Sequence, residues 1–264
     1  MHRSWTSRER FKIYEYLDYA TLLPVDDDYE DCMFFFAGFN ENASKYIYLF
    51  KNFLEEFETP PKIKIVIPFL PKYSLKDYAP YWLSKNHKDS HLYAWYNYEK
   101  IDLPEGFTIK LLPNKEKNDQ VIEMVSQEIE KLGSSEKIIF VGFSMGGRYL
   151  VEILTLMKIK TKFNIAFKSV LLIYDNPFKL GDTPESQHFK KNKFYLYYSR
   201  NEKVIPFNRG VQSISAMKAN GFQNIEVKID NSKKHLVDIH CLIYLEEIFA
   251  KNFKCKPKVL LPRF

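Results

Sequence analysis

With 264 residues, 45% of them hydrophobic and Phe and Tyr abundant, the chain can bury a sizeable core as one large α/β domain or two small ones. Its formal net charge of +6 is modest and spread out, and apolar runs of about five to seven residues fall far short of a bilayer span. With no Ser/Gly/Pro-rich linker, internal repeat or low-complexity tract, a repeat array is excluded and a single domain is expected.

In chain order, residues 1–30 read as an N-terminal extension. Met33–Ala37 reads as a strand, Ser44 as the N-cap of a helix running through Phe57, and Ile63–Ile67 as the next strand. The segment 68–113, rich in Tyr, Trp, Pro and His, reads as a loop and lid-like insertion. Asp119–Leu132 carries Val121, Ile122, Val125 and Ile129 at helical spacing and stops at Gly133, a good C′ residue. A β-branched and aromatic run from Lys137 to Val141 leads into a second helical pattern, Tyr149, Leu150, Ile153, Leu154 and Met157. Val170–Tyr174 and Phe194–Tyr198 read as buried strands, Asn208–Asn220 as a helix closed by Gly221, Ile225–Ile229 as a last strand, and Val237–Phe249 as the closing helix, ahead of a basic tail at 254–264. The body of the chain, 31–253, is therefore expected to be α/β, a mostly parallel central sheet with helices on both faces.

The lysines at 158, 160 and 162, at 190, 191 and 193, and at 251, 254, 256 and 258 are most simply solvated faces and loop edges. Nucleic-acid binding would need them interleaved with exposed aromatics in a recognisable module, and neither is present; the charge does leave room for weak, peripheral attraction to an anionic membrane or an acidic protein surface. Cys32, Cys241 and Cys255 are an odd number without metal spacing, so no metal site and a reduced compartment are expected. The N-terminal Arg and Ser residues have a slight transit-peptide flavour, but Glu9 and Glu15 follow quickly and no targeting signal is assigned.

Between the strand at 137–141 and the helix after it stands Gly142-Phe143-Ser144-Met145-Gly146. A serine hydroxyl becomes a nucleophile when it stands clear of the backbone, beside a base and near donors for an oxyanion, and a tight strand-to-helix turn supplies that exposure. Gly142 and Gly146 fall where a Cβ would collide with the neighbouring strand or helix. The N–H of Met145, at the helix N-terminus, points toward an anion. The same Gly-rich loop also occurs for packing alone, so the serine needs partners.

The hydrolase fold presents its triad in the order Ser, acid, His. His2, His87 and His91 precede the serine or stand at the terminus, His188 lies before a strand, and His240 falls on the apolar face of the last helix, which leaves His235, between the last strand and that helix, as the general base. Two acids follow strands: Glu202 and Asp175. Glu202 is preferred for holding the imidazole in its working tautomer, although a surface ion pair with Arg200 or Lys203 would also account for it. A second oxyanion donor is expected from the loop after the first strand, at the backbone N–H of Phe39, with Gly38 permitting the turn.

From about Met33 to Phe249 the chain resembles the phospholipase/carboxylesterase family of α/β-hydrolases, the acyl-protein thioesterases and small carboxylesterases. The resemblance is carried by Gly142-Phe143-Ser144-Met145-Gly146-Gly147, by Ala94-Trp95-Tyr96-Asn97, by Glu202-Lys203-Val204-Ile205-Pro206 and by the place of His235. It implies a cytosolic, cofactor-free serine hydrolase acting on acyl esters or thioesters through an acyl-enzyme. It further implies an acyl groove lined by Trp95, Phe69 and Leu70, although core or lid packing accounts for these residues equally well. The chain departs from the family at Ala37-Gly38-Phe39-Asn40-Glu41, which lacks the usual His and second Gly, at Met145 in place of Gln, and at Glu202 in place of Asp. Those departures motivate a second expectation, an α/β-hydrolase fold reused as a structural subunit of a larger assembly, with activity reduced or lost.

Overall fold

The computed structural model describes residues 10–74, 91–103, 106–171 and 183–258. At its centre is an eight-stranded sheet in the spatial order β1 (Phe11–Glu15), β2 (Tyr19–Pro24), β4 (Ile63–Pro68), β3 (Asp31–Phe36), β9 (Ile138–Phe143), β10 (Phe163–Phe167), β11 (Phe194–Ser199) and β12 (Ile225–Asp230). From β4 to β12 all neighbours run parallel, while β1 and β2 form an antiparallel hairpin joined to the edge of β4. Every residue of β3, β9, β10 and β11 is buried, as expected of parallel strands covered on both faces.

Alternation along β3 assigns the helices to the two faces. Phe35 points to helix α1 (Lys45–Glu55), its ring 4.5 Å from that of Tyr46 and 4.9 Å from that of Phe50. Phe36 points the opposite way, edge-on to Tyr149 of helix α3 (Met145–Met157). Helix α2 (Lys115–Leu132) joins α3 through Asn118, whose amide donates to Glu152, and the last helix, α6 (Ile239–Phe253), joins α1 through Phe249 and Phe53. Short helix α4 (Pro184–Lys190) and helix α5 (Phe207–Ala219) complete the set among the described residues. Cys32 on β3 and Cys241 on α6 are fully enclosed, whereas Cys255 is half-buried, and all are free thiols.

Several elements differ from expectation. Part of the supposed N-terminal extension, 11–24, is the β1–β2 hairpin, with Phe11, Ala20 and Leu22 in the core. The insertion at 68–113 holds strand pairs among its described residues: β5 (Lys72–Ser74) with β6 (His91–Tyr93), and β7 (Tyr96–Leu103) with β8 (Gly106–Pro113). The strand expected at Val170–Tyr174 gives way to β10; Val170 and Leu171 are outside any strand and 172–174 lie outside the described residues. The disguise is Asn164, the second residue of the strand, which is buried with its amide nitrogen donating to Thr161 Oγ1 and the Lys193 carbonyl. Ser44 does stand at the N-cap of α1, but its hydroxyl binds Asn42 rather than capping the helix. His240 is exposed, not on the apolar face of the last helix.

The topology fixes where a ligand would sit. The chain leaves β3 for β4 on one side and later takes up β9 on the other, so the strand order reverses between β3 and β9. The crevice at the carboxyl ends of such a pair is where open α/β sheets bind ligands.

Candidate active site

Ser144 occupies the turn between β9 and α3, with φ 53° and ψ −119°. This sparsely populated backbone region costs about 1–3 kcal/mol for a residue with a side chain and persists only where its surroundings enforce it. Two contacts enforce it here. The Ser144 N–H donates to the Phe167 carbonyl at 3.0 Å, and its own carbonyl accepts from Gly147 at 3.1 Å. The turn is so tight that a Cβ on Gly146 would stand 2.0 Å from the Phe36 carbonyl oxygen, and one on Gly142 would stand 2.5 Å from that of Gly146. Ser144 itself is half-buried and keeps a solvent-facing surface.

His235 arrives from the loop between β12 and α6. Its Nε2 is 2.8 Å from Ser144 Oγ, and its Nδ1 is 2.8 and 3.1 Å from the two carboxylate oxygens of Glu202. The ring packs against that of Phe143, tilted by 36° with centroids 5.0 Å apart. Glu202 comes from the turn after β11, its side chain 2% exposed against 15% for His235. Its Oε1 also accepts the Ile205 N–H at 2.6 Å. A carboxylate can only accept, so the Nδ1 it faces carries the proton and the Nε2 lone pair is left for the serine hydroxyl. Asp175, the other acid considered, lies outside the described residues, as do His2 and His87; His91 and His188 are exposed on β6 and α4.

The loop after β3 comes up beside the serine. A Cβ on Gly38 would stand 3.0 Å from the Phe143 ring and 3.3 Å from Ser144 Cβ, so Gly38 and Phe39 pass directly alongside the nucleophile's turn. Asn40 adopts the left-handed conformation, φ 52°, and its N–H is bound by the Tyr93 carbonyl at 2.7 Å. On the other side of the crevice, Met145 is the first residue of α3, where the helix leaves an N–H without an intrahelical acceptor.

Trp95 is not in a groove wall. It is fully buried, stacked on Tyr149 at 4.1 Å with its indole N–H donating to the Ala37 carbonyl at 2.8 Å. Its position is a support beneath the loop after β3, which corrects the substrate-lining expectation. Phe69 and Leu70 do line an open cleft of about 260 Å³, with Glu41, Ala43 and Tyr93. Among the described residues, no helix is long and apolar enough to cross a membrane, and no group of three or more His, Cys, Asp or Glu side chains is placed to hold a metal ion.

Lys168, one residue past β10, was not singled out in the sequence, where it resembles the many solvated lysines. Its side chain is entirely buried and reaches the His235 loop.

No protein-family model matches the chain, and no curated protein matches it in sequence. In three dimensions it is similar to acyl-protein thioesterase 2 of Zea mays, at 18% identity over 90% of this chain and 100% of that one, with a TM-score of 0.67. It is similar to SOBER1 of Arabidopsis thaliana at 14% identity, covering 84% of this chain and 98% of that one with a TM-score of 0.64. The carboxylesterase of Bacillus cereus aligns at 10% identity over 85% of this chain and 89% of that one, with a TM-score of 0.56. Likenesses at these identities establish the α/β-hydrolase fold.

Proposed function

We propose that the protein is a serine hydrolase that cleaves acyl esters or thioesters through an acyl-enzyme on Ser144. The observation that carries this reading is the unbroken hydrogen-bond chain from Ser144 Oγ through His235 to Glu202, with 2.8 Å at each link. Support also comes from the named activities of the structural neighbours, which include a thioesterase and a carboxylesterase.

In the first half-reaction Ser144 Oγ attacks the acyl carbon while its proton passes to His235 Nε2. Negative charge grows on the carbonyl oxygen, toward which the N–H groups of Phe39 and Met145 would be directed. Collapse breaks the bond to the leaving oxygen or sulfur, and His235 returns the proton to that atom. Water then repeats the sequence, giving its proton to Nε2 and restoring the serine as the acid departs. Glu202 stabilises the imidazolium formed in each half without taking its proton. The cleft lined by Phe69 and Leu70 would take the acyl chain, with Glu41, Asn42 and Ser44 as its polar lining.

The departures at Met145 and in the loop after β3 are tolerable on this reading because the oxyanion donors are backbone groups. A subunit retained purely as a scaffold would have no reason to keep a strained serine in register with a base and a buried acid. The two readings separate on labelling with a fluorophosphonate probe. Wild-type protein should be labelled covalently and Ser144→Ala should not; absence of any serine-dependent adduct would overturn the hydrolase reading in favour of a structural role.

A further inference from the structure

We propose that Lys168 is a positioning residue, a buried cation that holds the His235 loop in the register at which the imidazole meets Ser144 and Glu202 together. The proposal rests on the serine-hydrolase reading and deepens it. Lys168 has no solvent exposure at its side chain and adopts a left-handed backbone, φ 47°. Its Nζ donates to Ser232 Oγ at 3.1 Å, to the Lys234 carbonyl at 2.8 Å, to the Leu236 carbonyl at 3.2 Å and to Asp238 Oδ2 at 2.9 Å.

Those acceptors bracket His235 on both sides, and the two carbonyls belong to the residues immediately before and after it. An ammonium has three protons for these four acceptors, so one proton is shared and the whole donor capacity is used. A loop that turns adjacent carbonyls inward onto a dry cation cannot slide without stranding them. The far end of this contact is fixed as well, because Asp238 Oδ1 accepts the N–H groups of His240 and Cys241 at the start of α6. The near end is shared with the nucleophile: Phe167, the residue before Lys168, supplies the carbonyl that holds the Ser144 N–H. One strand end thus references both the serine's backbone and the histidine's loop.

Lys162→Met is the comparison that separates positioning from general stability. Lys162 stands just before β10, at the opposite end of the same strand, and pairs with the buried Asp31 at 2.7 Å. Lys168→Met and Lys162→Met should both melt at lower temperature than wild type. With p-nitrophenyl butyrate as substrate, only Lys168→Met should lose kcat, on the order of 10- to 100-fold, with KM unchanged, as expected when a reacting group is displaced by a fraction of an ångström. Proton NMR supplies a readout independent of turnover. The downfield Nδ1 proton of His235, assigned by its disappearance in His235→Gln, should persist in Lys162→Met and vanish or broaden in Lys168→Met. Wild-type kcat and an intact resonance in folded Lys168→Met would overturn the proposal while leaving the hydrolase reading untouched. A wild-type protein with no turnover whose resonance still depends on Lys168 would uphold the positioning role and remove the hydrolase reading. If Lys168→Met does not fold, the double variant Ser232→Ala/Asp238→Asn removes the hydroxyl acceptor and, with the Asn oxygen kept on the helix cap, replaces the carboxylate oxygen facing Nζ by an amide nitrogen that cannot accept; a weakened resonance supports the proposal, and an unchanged one overturns it.

Discussion

Glu202 is enclosed more tightly than the histidine it faces, and its carboxylate is pinned from a second direction by the Ile205 N–H. That geometry makes the acid an orienting group with little freedom to swing away. Glu202→Gln keeps the shape of the side chain but offers Nδ1 an amide that can present a donor, which favours the wrong tautomer. A kcat for ester hydrolysis reduced about 10³- to 10⁴-fold with the melting temperature nearly unchanged is the expected result. At this scale the sequence was informative where a residue carries its own local signature. Ser144 has flanking glycines that only a close approach explains, and His235 and Glu202 each stand in a loop that follows a strand. Lys168 carries no such signature, because its neighbours Phe167 and Ser169 would read the same beside a solvated lysine. Its partners lie 64 to 70 positions away, and only the tertiary fold supplies them. Trp95 was left open between groove lining and packing for a related reason. A tryptophan in a Pro- and Tyr-rich stretch is as compatible with packing beneath a loop as with lining a groove, and its hydrogen bond to Ala37 spans 58 positions.

Among the elements, the carboxyl ends of β11 and β12 meet through Asp230. Burial works to raise its carboxyl, but hydrogen bonds from the Tyr197 hydroxyl, Ser199 and the Ser232 N–H, together with the charge of Lys168, outweigh it and hold the group below the ordinary aspartate value of 3.8. A depressed folded-state value contributes stability that is complete above the unfolded value and is lost as pH falls through the folded one. Asp230→Asn should therefore lower the melting temperature at neutral pH by about 2–4 °C, and the gap to wild type should close as pH drops below the ordinary 3.8. Melting curves between pH 7 and pH 3 check this, and a constant gap would count against it. Helices and most parallel strands were legible from periodicity and caps: Gly133 ends α2 in the left-handed conformation, φ 73°, as a C′ glycine should. What was lost were β10, interrupted by a buried asparagine, and the strands of the 68–113 segment. The β1–β2 hairpin was missed because its strands sit among exposed residues such as Tyr14, Tyr16 and Leu17.

For the molecule as a whole, the reversal of strand order between β3 and β9 lets one crevice receive the loop bearing Phe39, the start of α3 at Met145 and the two later loops bearing Glu202 and His235. This convergence was readable as a chain order of motifs, but the distances were not. The same packing shuts away Cys32 and Cys241, whose thiols are pushed upward by burial, while Cys255, also raised by burial, reaches only about 11. Thiolate is the form that alkylating reagents attack, so the chain carries its own clock for opening. Under native conditions prolonged iodoacetamide treatment should add a single adduct, at the half-buried Cys255, and in denaturant three, as counted by intact mass. The delay before the second and third adducts then measures how often the sheet breathes apart, and early modification at Cys241 alone would reveal that the start of the last helix, next to the histidine's loop, comes loose before everything else.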